Sequence, residues 1–227
     1  MQHRKLMTGV AAVLAAAIFP TTARANLLSN FGFETPDASG GDVFDAPAAP
    51  WVGFNDPGLR YTTSTVARTG NQSLKMFGPF DFIGGGVGAV QAVPATAGTP
   101  YTGEIWALNN SADAIQGNNF GVFKLEFLDA GFNLIPGGLG VGFVESNPIN
   151  AGTPQDQWTL LGAGGVAPAG TAWVQAVIVQ VQLGDGNGAF VGGSIFWDDA
   201  SITAVPEPTT LALIGMGGIV VLRRRRR

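Results

Sequence analysis

The chain has no cysteine and a single histidine, His3, so the groups left to do chemistry are carboxylates, amides and aromatic rings. His3 lies in the segment read below as a signal peptide, so the body lacks both residue types, which excludes nucleophile systems of the Ser-His-Asp and Cys-His kind and zinc and copper sites of the usual type. Two kinds of chemistry remain. Paired carboxylates hydrolyse glycosides, one acting as acid and the other as base or nucleophile. Glu34, Glu104, Glu126, Glu145 and the aspartates supply such groups, but nothing in their spacing singles out two, because the required separation is spatial. Aromatic planes with polar groups beside them bind sugars. The candidates are Trp51, Tyr61, Trp106 and Trp173, with Glu104, Gln180 and Gln182. Fifteen phenylalanines predict a core rich in rings, in which most tryptophans are structural. Trp158 and Trp197 read that way. The expectation is binding without catalysis, with a carboxylate glycosidase as an alternative.

Charge narrows the partners. Between residues 26 and 204 only Arg60, Arg68, Lys75 and Lys124 are basic, against fifteen acidic residues, a formal charge of −11. The −4 of the whole chain conceals this. Nucleic acid, which needs clustered Lys and Arg, is not a partner for such a surface. Cations are, and calcium first, because carboxylates and carbonyls are hard oxygen donors.

These residues must be held by short extended elements. Residues 120–128 alternate cleanly, with Gly121, Phe123, Leu125 and Phe127 on one face and Lys124 and Glu126 on the other. Residues 173–183 are apolar on both faces, which predicts a central strand. Further strands are expected at 51–54, 59–66, 73–77, 88–93, 101–108, 141–144, 158–161 and 194–203. Asn55-Asp56-Pro57-Gly58, Thr69-Gly70-Asn71 and Asp129-Ala130-Gly131 mark turns. Residues 37–50 read as a long loop, and the glycines at 83–88 as a loose segment rather than a phosphate cradle, since no Lys-Ser/Thr follows. About ten strands at short spacing, with no amphipathic helix, predict an all-β sandwich.

The two ends have a different composition. Residues 1–25 have a basic start (Arg4, Lys5), an apolar run and Ala23-Arg24-Ala25, the three regions of a secretory signal peptide cleaved by signal peptidase. Residues 205–227 carry Val205, Pro206, Glu207 and Pro208, an apolar run over 209–222 and Arg223, Arg224, Arg225, Arg226 and Arg227. The prolines end the folded domain near Val205. Fourteen residues are short against the ~20 that cross hydrocarbon, yet flanking residues can snorkel, and arginines stay cytoplasmic. The domain plan is therefore 1–25, 26–204 and 205–227. This tail resembles the PEP-CTERM sorting signal of Gram-negative bacteria. The resemblance implies a single transmembrane helix, recognition by exosortase at the inner membrane, and delivery to the cell surface or extracellular polysaccharide.

The body also resembles a family. Residues 26–34 (NLLSNFGFE), Thr69-Gly70-Asn71-Gln72-Ser73-Leu74 and Phe196-Trp197-Asp198-Asp199-Ala200-Ser201-Ile202 are similar, in kind and order, to motifs of the galactose-binding-like jelly rolls used as carbohydrate-binding modules. The resemblance implies a jelly-roll β-sandwich, a glycan ligand and a structural calcium where the first and last strands meet. Glu34, Asp198 and Asp199 occupy the matching positions. Alternation puts Phe196, Asp198, Ala200 and Ile202 on one face that looks buried, and a buried carboxylate needs a partner. Calcium or backbone N–H groups would serve, and the sequence leaves both open. A structural surface protein with no sugar site is the remaining alternative.

Overall fold

The computed structural model describes residues 25–47, 49–78, 86–136 and 142–205. The expected signal peptide, the Pro-Glu-Pro block, the apolar run and the arginines lie outside these residues, apart from Ala25 and Val205. The described residues form two antiparallel sheets and two single-turn 3-10 helices. One sheet has the order β1 (Val43–Phe44), β3 (Arg60–Thr63), β4 (Ser73–Met76), β12 (Ile195–Ala204), β6 (Pro100–Leu108), β10 (Trp158–Val166). The second runs β2 (Val52–Phe54), β5 (Gly86–Pro94), β11 (Trp173–Val181), β7 (Phe120–Leu128), β8 (Phe143–Glu145), with β9 (Ile149–Asn150) also on β7.

From β5 onward the long strands alternate between sheets, so that β5, β7 and β11 lie in one and β6, β10 and β12 in the other. That alternation of antiparallel strands makes a jelly-roll sandwich. β11 is central, paired over all nine residues with both β5 and β7, which is why its sequence is apolar on both faces. Its inward Val174, Ala176 and Ile178 meet the inward Phe123, Leu125 and Phe127 of β7. From the opposite sheet come Tyr101, Ile105, Leu161, Trp197 and Ile202. Each large apolar side chain so buried stabilises the fold by roughly 1.5–3 kcal/mol.

Several local expectations change. β1 lies within the stretch read as loop, and β10 runs five residues past 161, to Val166. The opening residues 26–34 form no ladder. They are tied to β12 by isolated bonds, Leu27 N–H to Ile202 O and Ala200 N–H to Phe31 O, both 2.9 Å. β12 carries a β-bulge between Asp198 and Ser201, with Asp199 at φ +50°. The bulge breaks the alternation expected there. Phe196 and Asp198 lie on the outer face with Leu108 and Trp106, whereas Ile202 pairs with Gly103 and faces the core. An inserted residue shifts every later side chain to the opposite face.

Candidate functional site

Two regions gather some of the residues singled out in the sequence. The first is the corner where the N-terminal segment, the loop before β4 and the β12 bulge meet. Asp198 is fully buried. Its Oδ2 accepts the N–H groups of Arg68 (2.8 Å) and Thr69 (3.3 Å), and its Oδ1 accepts that of Asp199 (2.7 Å). Burial nevertheless pushes its carboxyl up to about 7, against the lowering effect of the Arg68 N–H, with the neighbouring Asp199 charge adding to the rise. Asp199 accepts from Thr69 Oγ1 at 2.6 Å and pairs with Arg68 Nη1 at 2.5 Å. Glu34 accepts the Asn71 N–H at 3.1 Å.

A glycine lets Glu34 approach: a Cβ on Gly70 (φ +66°) would overlap the Glu34 carboxylate, whereas one on Gly32 would make only ordinary contact, 3.7 Å, with Asp198 Oδ1 and Asp199 Oδ1. Hence Glu34, Asp198 and Asp199 border one corner, where the Arg68 guanidinium pairs with Asp199 and the other two carboxylates accept backbone N–H groups. In donor type and in charge the corner fits calcium. In geometry it is incomplete, since no three acidic side chains among the described residues converge to hold an ion.

The second region is the outer face of the β2-β5-β11-β7-β8 sheet. Cross-strand register builds rows there: Pro94, Trp173 and Leu128, then Ala92, Gln175, Glu126 and Phe143, then Val90, Val177, Lys124 and Glu145. Trp173 stacks on Phe132 with centroids 4.8 Å apart and planes at 19°. Phe132 itself is 57% exposed. Beside the stack, Gln175 Nε2 donates to Glu126 Oε2 at 3.3 Å. Lys124 pairs with Glu145 at 2.7 Å and lies 4.6 Å from the Phe143 ring centroid. Burial raises the Glu126 carboxyl above its ordinary range, against the pull of Lys124 and Gln175.

The seven sugar candidates separate into three groups. Trp173 stands on the face just described. Tyr61, Trp106 and Glu104 share the outer face of the opposite sheet. There Tyr61 packs on Phe44 (4.8 Å) and Phe77 (6.0 Å), and Arg68 covers the Trp106 ring at 3.9 Å. Trp51, Gln180 and Gln182 are interior. The Trp51 indole N–H goes to Ser29 O and Asn30 O (3.1 and 3.2 Å), pinning the N-terminal segment. Gln180 and Gln182 donate to Gly193 O and Val191 O, bracing a glycine loop from below. Each amide thus has a backbone partner for its Nε2, while its buried Oε1 has none among the described residues.

Gln175, Lys124, Phe132 and Phe143 were not among the candidates, and Glu126 appeared only as a carboxylate. The alternation of 120–128 had already put Lys124 and Glu126 on one face. No local pattern marks Phe132, in a turn, or Phe143, in a three-residue strand.

The geometry defines a jelly-roll sandwich with an open aromatic and polar sheet face. The PEP-CTERM protein-sorting motif matches residues 204–227. No curated protein matches the chain. Among solved structures, the enzymatically active domain of bacteriophage CBA120 tailspike protein 4 is similar with a TM-score of 0.51 at 14% identity. That match covers 79% of this chain, and the chain spans only 21% of the tailspike. TmCBM61, solved with β-1,4-galactotriose, matches with TM-score 0.47 and 17% identity over 80% of this chain and 99% of its own. The CBM22-1 xylan-binding domain of Paenibacillus barcinonensis Xyn10C matches with TM-score 0.47 and 14% identity over 82% and 98%. At such identities the tailspike likeness speaks for fold alone.

Proposed function

We propose that this is an exported envelope or surface protein whose sandwich binds a glycan, without catalysis, on the outer face of the β5-β11-β7 sheet. The observation that carries the reading is the Glu126–Gln175 pair standing beside the Trp173–Phe132 stack. A sugar offers C–H faces to rings and hydroxyls to a carboxylate and an amide, and this face offers both within neighbouring rows. The sorting motif supports export to the envelope, with exosortase as the processing partner and signal peptidase acting at the other end.

Retention on a panel of insoluble and soluble polysaccharides tests this. The wild-type protein is expected to bind saturably, and Trp173→Ala and Glu126→Gln to lose most of that binding with the fold intact. Undiminished binding by both variants would remove the face from consideration. A folded protein that binds no glycan would favour the purely structural role.

One observation favours a second reading, a carboxylate glycosidase. Glu126 and Glu145 are diagonal neighbours across β7 and β8, about 7–8 Å apart by strand geometry. Glu126 is held towards its protonated form and Glu145 is ion-paired. Release of reducing ends, abolished by Glu126→Gln, would support it over binding alone.

At the glycine-lined corner the proposal is a structural calcium. Glu34, Asp198 and Asp199 are the side chains that would contribute, with backbone carbonyls completing the shell. Calcium added to protein stripped with a chelator should then give a heat of binding and raise the Tm, and a flat titration would remove the ion.

A further inference from the structure

At the end of β7 away from the Trp173 stack, the loop before the strand and the turn after β9 border an open cavity of about 340 Å³. We propose that this cavity is a second subsite, for one uncharged sugar residue of a neutral glycan. The inference deepens the carbohydrate reading above and adds a site to it.

The lining decides the ligand class. Asn118, Phe120, Pro148, Asn150, Ala151 and Gly152 face the space, and no charged side chain is among the lining residues. On a body carrying −11, an uncharged pocket disfavours an ionic ligand and suits a neutral one. The Asn118 side-chain amide makes no hydrogen bond among the described residues, while its backbone N–H goes to Gly184 O (2.8 Å). Asn150 uses Oδ1 on the Gly152 N–H (2.9 Å), which leaves its NH₂ free. Two unengaged amides can meet adjacent hydroxyls, while Phe120 and Pro148 offer flat apolar surface to a C–H face. The volume falls in the range of small-ligand sites, about 300–1,000 Å³.

The walls are built before any ligand arrives. Asn119 is fully buried and makes four hydrogen bonds: Nδ2 to Val191 O (2.9 Å) and Gly192 O (3.1 Å), Oδ1 from the N–H groups of Leu183 (2.9 Å) and Gly184 (3.2 Å). Gly117, at φ +58°, admits the close approach of Gly184 O and Val191 that a Cβ would block. On the far side, Thr153 N–H to Asn150 O (3.0 Å) and Asn150 N–H to Thr153 Oγ1 (3.0 Å) close the turn. The walls are joined where Phe120 pairs with Asn150 and Gly121 with Ile149. Such preorganisation lowers the cost of binding. Phe120 and Glu126 are six residues apart on one strand, roughly 20 Å, so one extended glycan can reach both sites.

The test uses protein from expression of the complete chain, titrated calorimetrically with neutral β-linked trisaccharides of gluco, galacto and manno configuration and with tri-galacturonate. Ala151 and Asn118 are exposed, so Ala151→Trp, which fills the cavity, and Asn118→Ala leave the core untouched. The expected result is that Trp173→Ala still binds a neutral trisaccharide, and that adding Ala151→Trp or Asn118→Ala weakens this remaining binding at least tenfold. Tri-galacturonate should bind at least tenfold more weakly than its neutral counterpart. Trp173→Ala abolishing all binding while Ala151→Trp changes nothing would overturn the subsite and leave the sheet-face reading standing. Loss on Ala151→Trp alone, with Trp173→Ala silent, would uphold the subsite and overturn the sheet face. No binding of any trisaccharide by the wild-type chain, or equal binding of the charged one, would overturn the proposal.

Discussion

The guanidinium carbon of Arg68 lies 3.9 Å from the ring centroid of Trp106, and the same guanidinium pairs with Asp199 at 2.5 Å. One side chain thus links the loop before β4, the outer face of β6 and the bulge of β12. It also covers the face that Trp106 would need to offer a sugar. Arg68→Ala is expected to destabilise the protein by about 1–2 kcal/mol, the sum of a partly exposed cation–π contact and one charge-assisted pair. Urea unfolding followed by circular dichroism measures this. Trp106→Ala should lower stability likewise and leave polysaccharide retention unchanged. Loss of retention with an intact fold would move the binding face to the opposite sheet.

Asp198 makes stability depend on pH in a direction unusual for a carboxylate. Its folded value is raised to about 7, above 3.8. The native state therefore binds the proton more tightly than the unfolded chain between those values. Its contribution is full below pH 3.8 and is lost as pH rises through about 7. In chelator, the part of the Tm profile due to this group should fall from pH 5 to pH 8, and Asp198→Asn should flatten it. Calcium at the corner would favour the carboxylate and reverse the slope. A profile in chelator that is the same for wild type and Asp198→Asn would show that Asp198 does not titrate there.

The strands with strict alternation or continuous apolar runs were legible because burial on one face or both writes directly into the sequence. Phe120–Leu128 and Trp173–Val181 are cases of each. The β12 bulge was not legible. Asp198-Asp199 reads equally well as two alternating positions, and only tertiary contacts with Arg68 and Thr69 decide that a residue is inserted. The corner of Glu34, Asp198 and Asp199 was found by motif. Of the sheet face proposed to bind sugar, only Trp173 is read from the sequence as a sugar candidate. Its other members come from separate elements, brought together by a register that no local pattern specifies. Gln180 and Gln182, also sugar candidates in the sequence, are buried. A glutamine on a central strand reads as a surface polar group until a carbonyl, here from the 191–193 loop, is seen to meet it inside.

Gly70 tests how tightly the corner is built. Its φ of +66° is left-handed, and a methyl there would collide with the Glu34 carboxylate. Gly70→Ala is expected to cost at least about 1–3 kcal/mol from backbone strain, with the displaced carboxylate adding to it. Adding Glu34→Ala should recover the steric share alone. A double-mutant cycle by urea denaturation measures that share, and strict additivity would mean the two groups do not touch.

Trp197 carries the last prediction. It is fully buried against Gly121, and its indole N–H has no partner among the described residues. An unsatisfied buried donor costs roughly 1–3 kcal/mol, so the ring's packing is offset by its own nitrogen. Trp197→Phe removes that donor along with part of the volume, whereas Trp197→Ala empties the site. Alanine should cost about 3–5 kcal/mol, in line with large-to-small core changes. Phenylalanine should cost under about 2 kcal/mol, because the lost contacts are partly repaid by removing the orphaned N–H. Denaturation midpoints at constant m-value measure both. A phenylalanine variant as unstable as the alanine one would mean that the nitrogen is satisfied in solution, by a water held inside the sandwich.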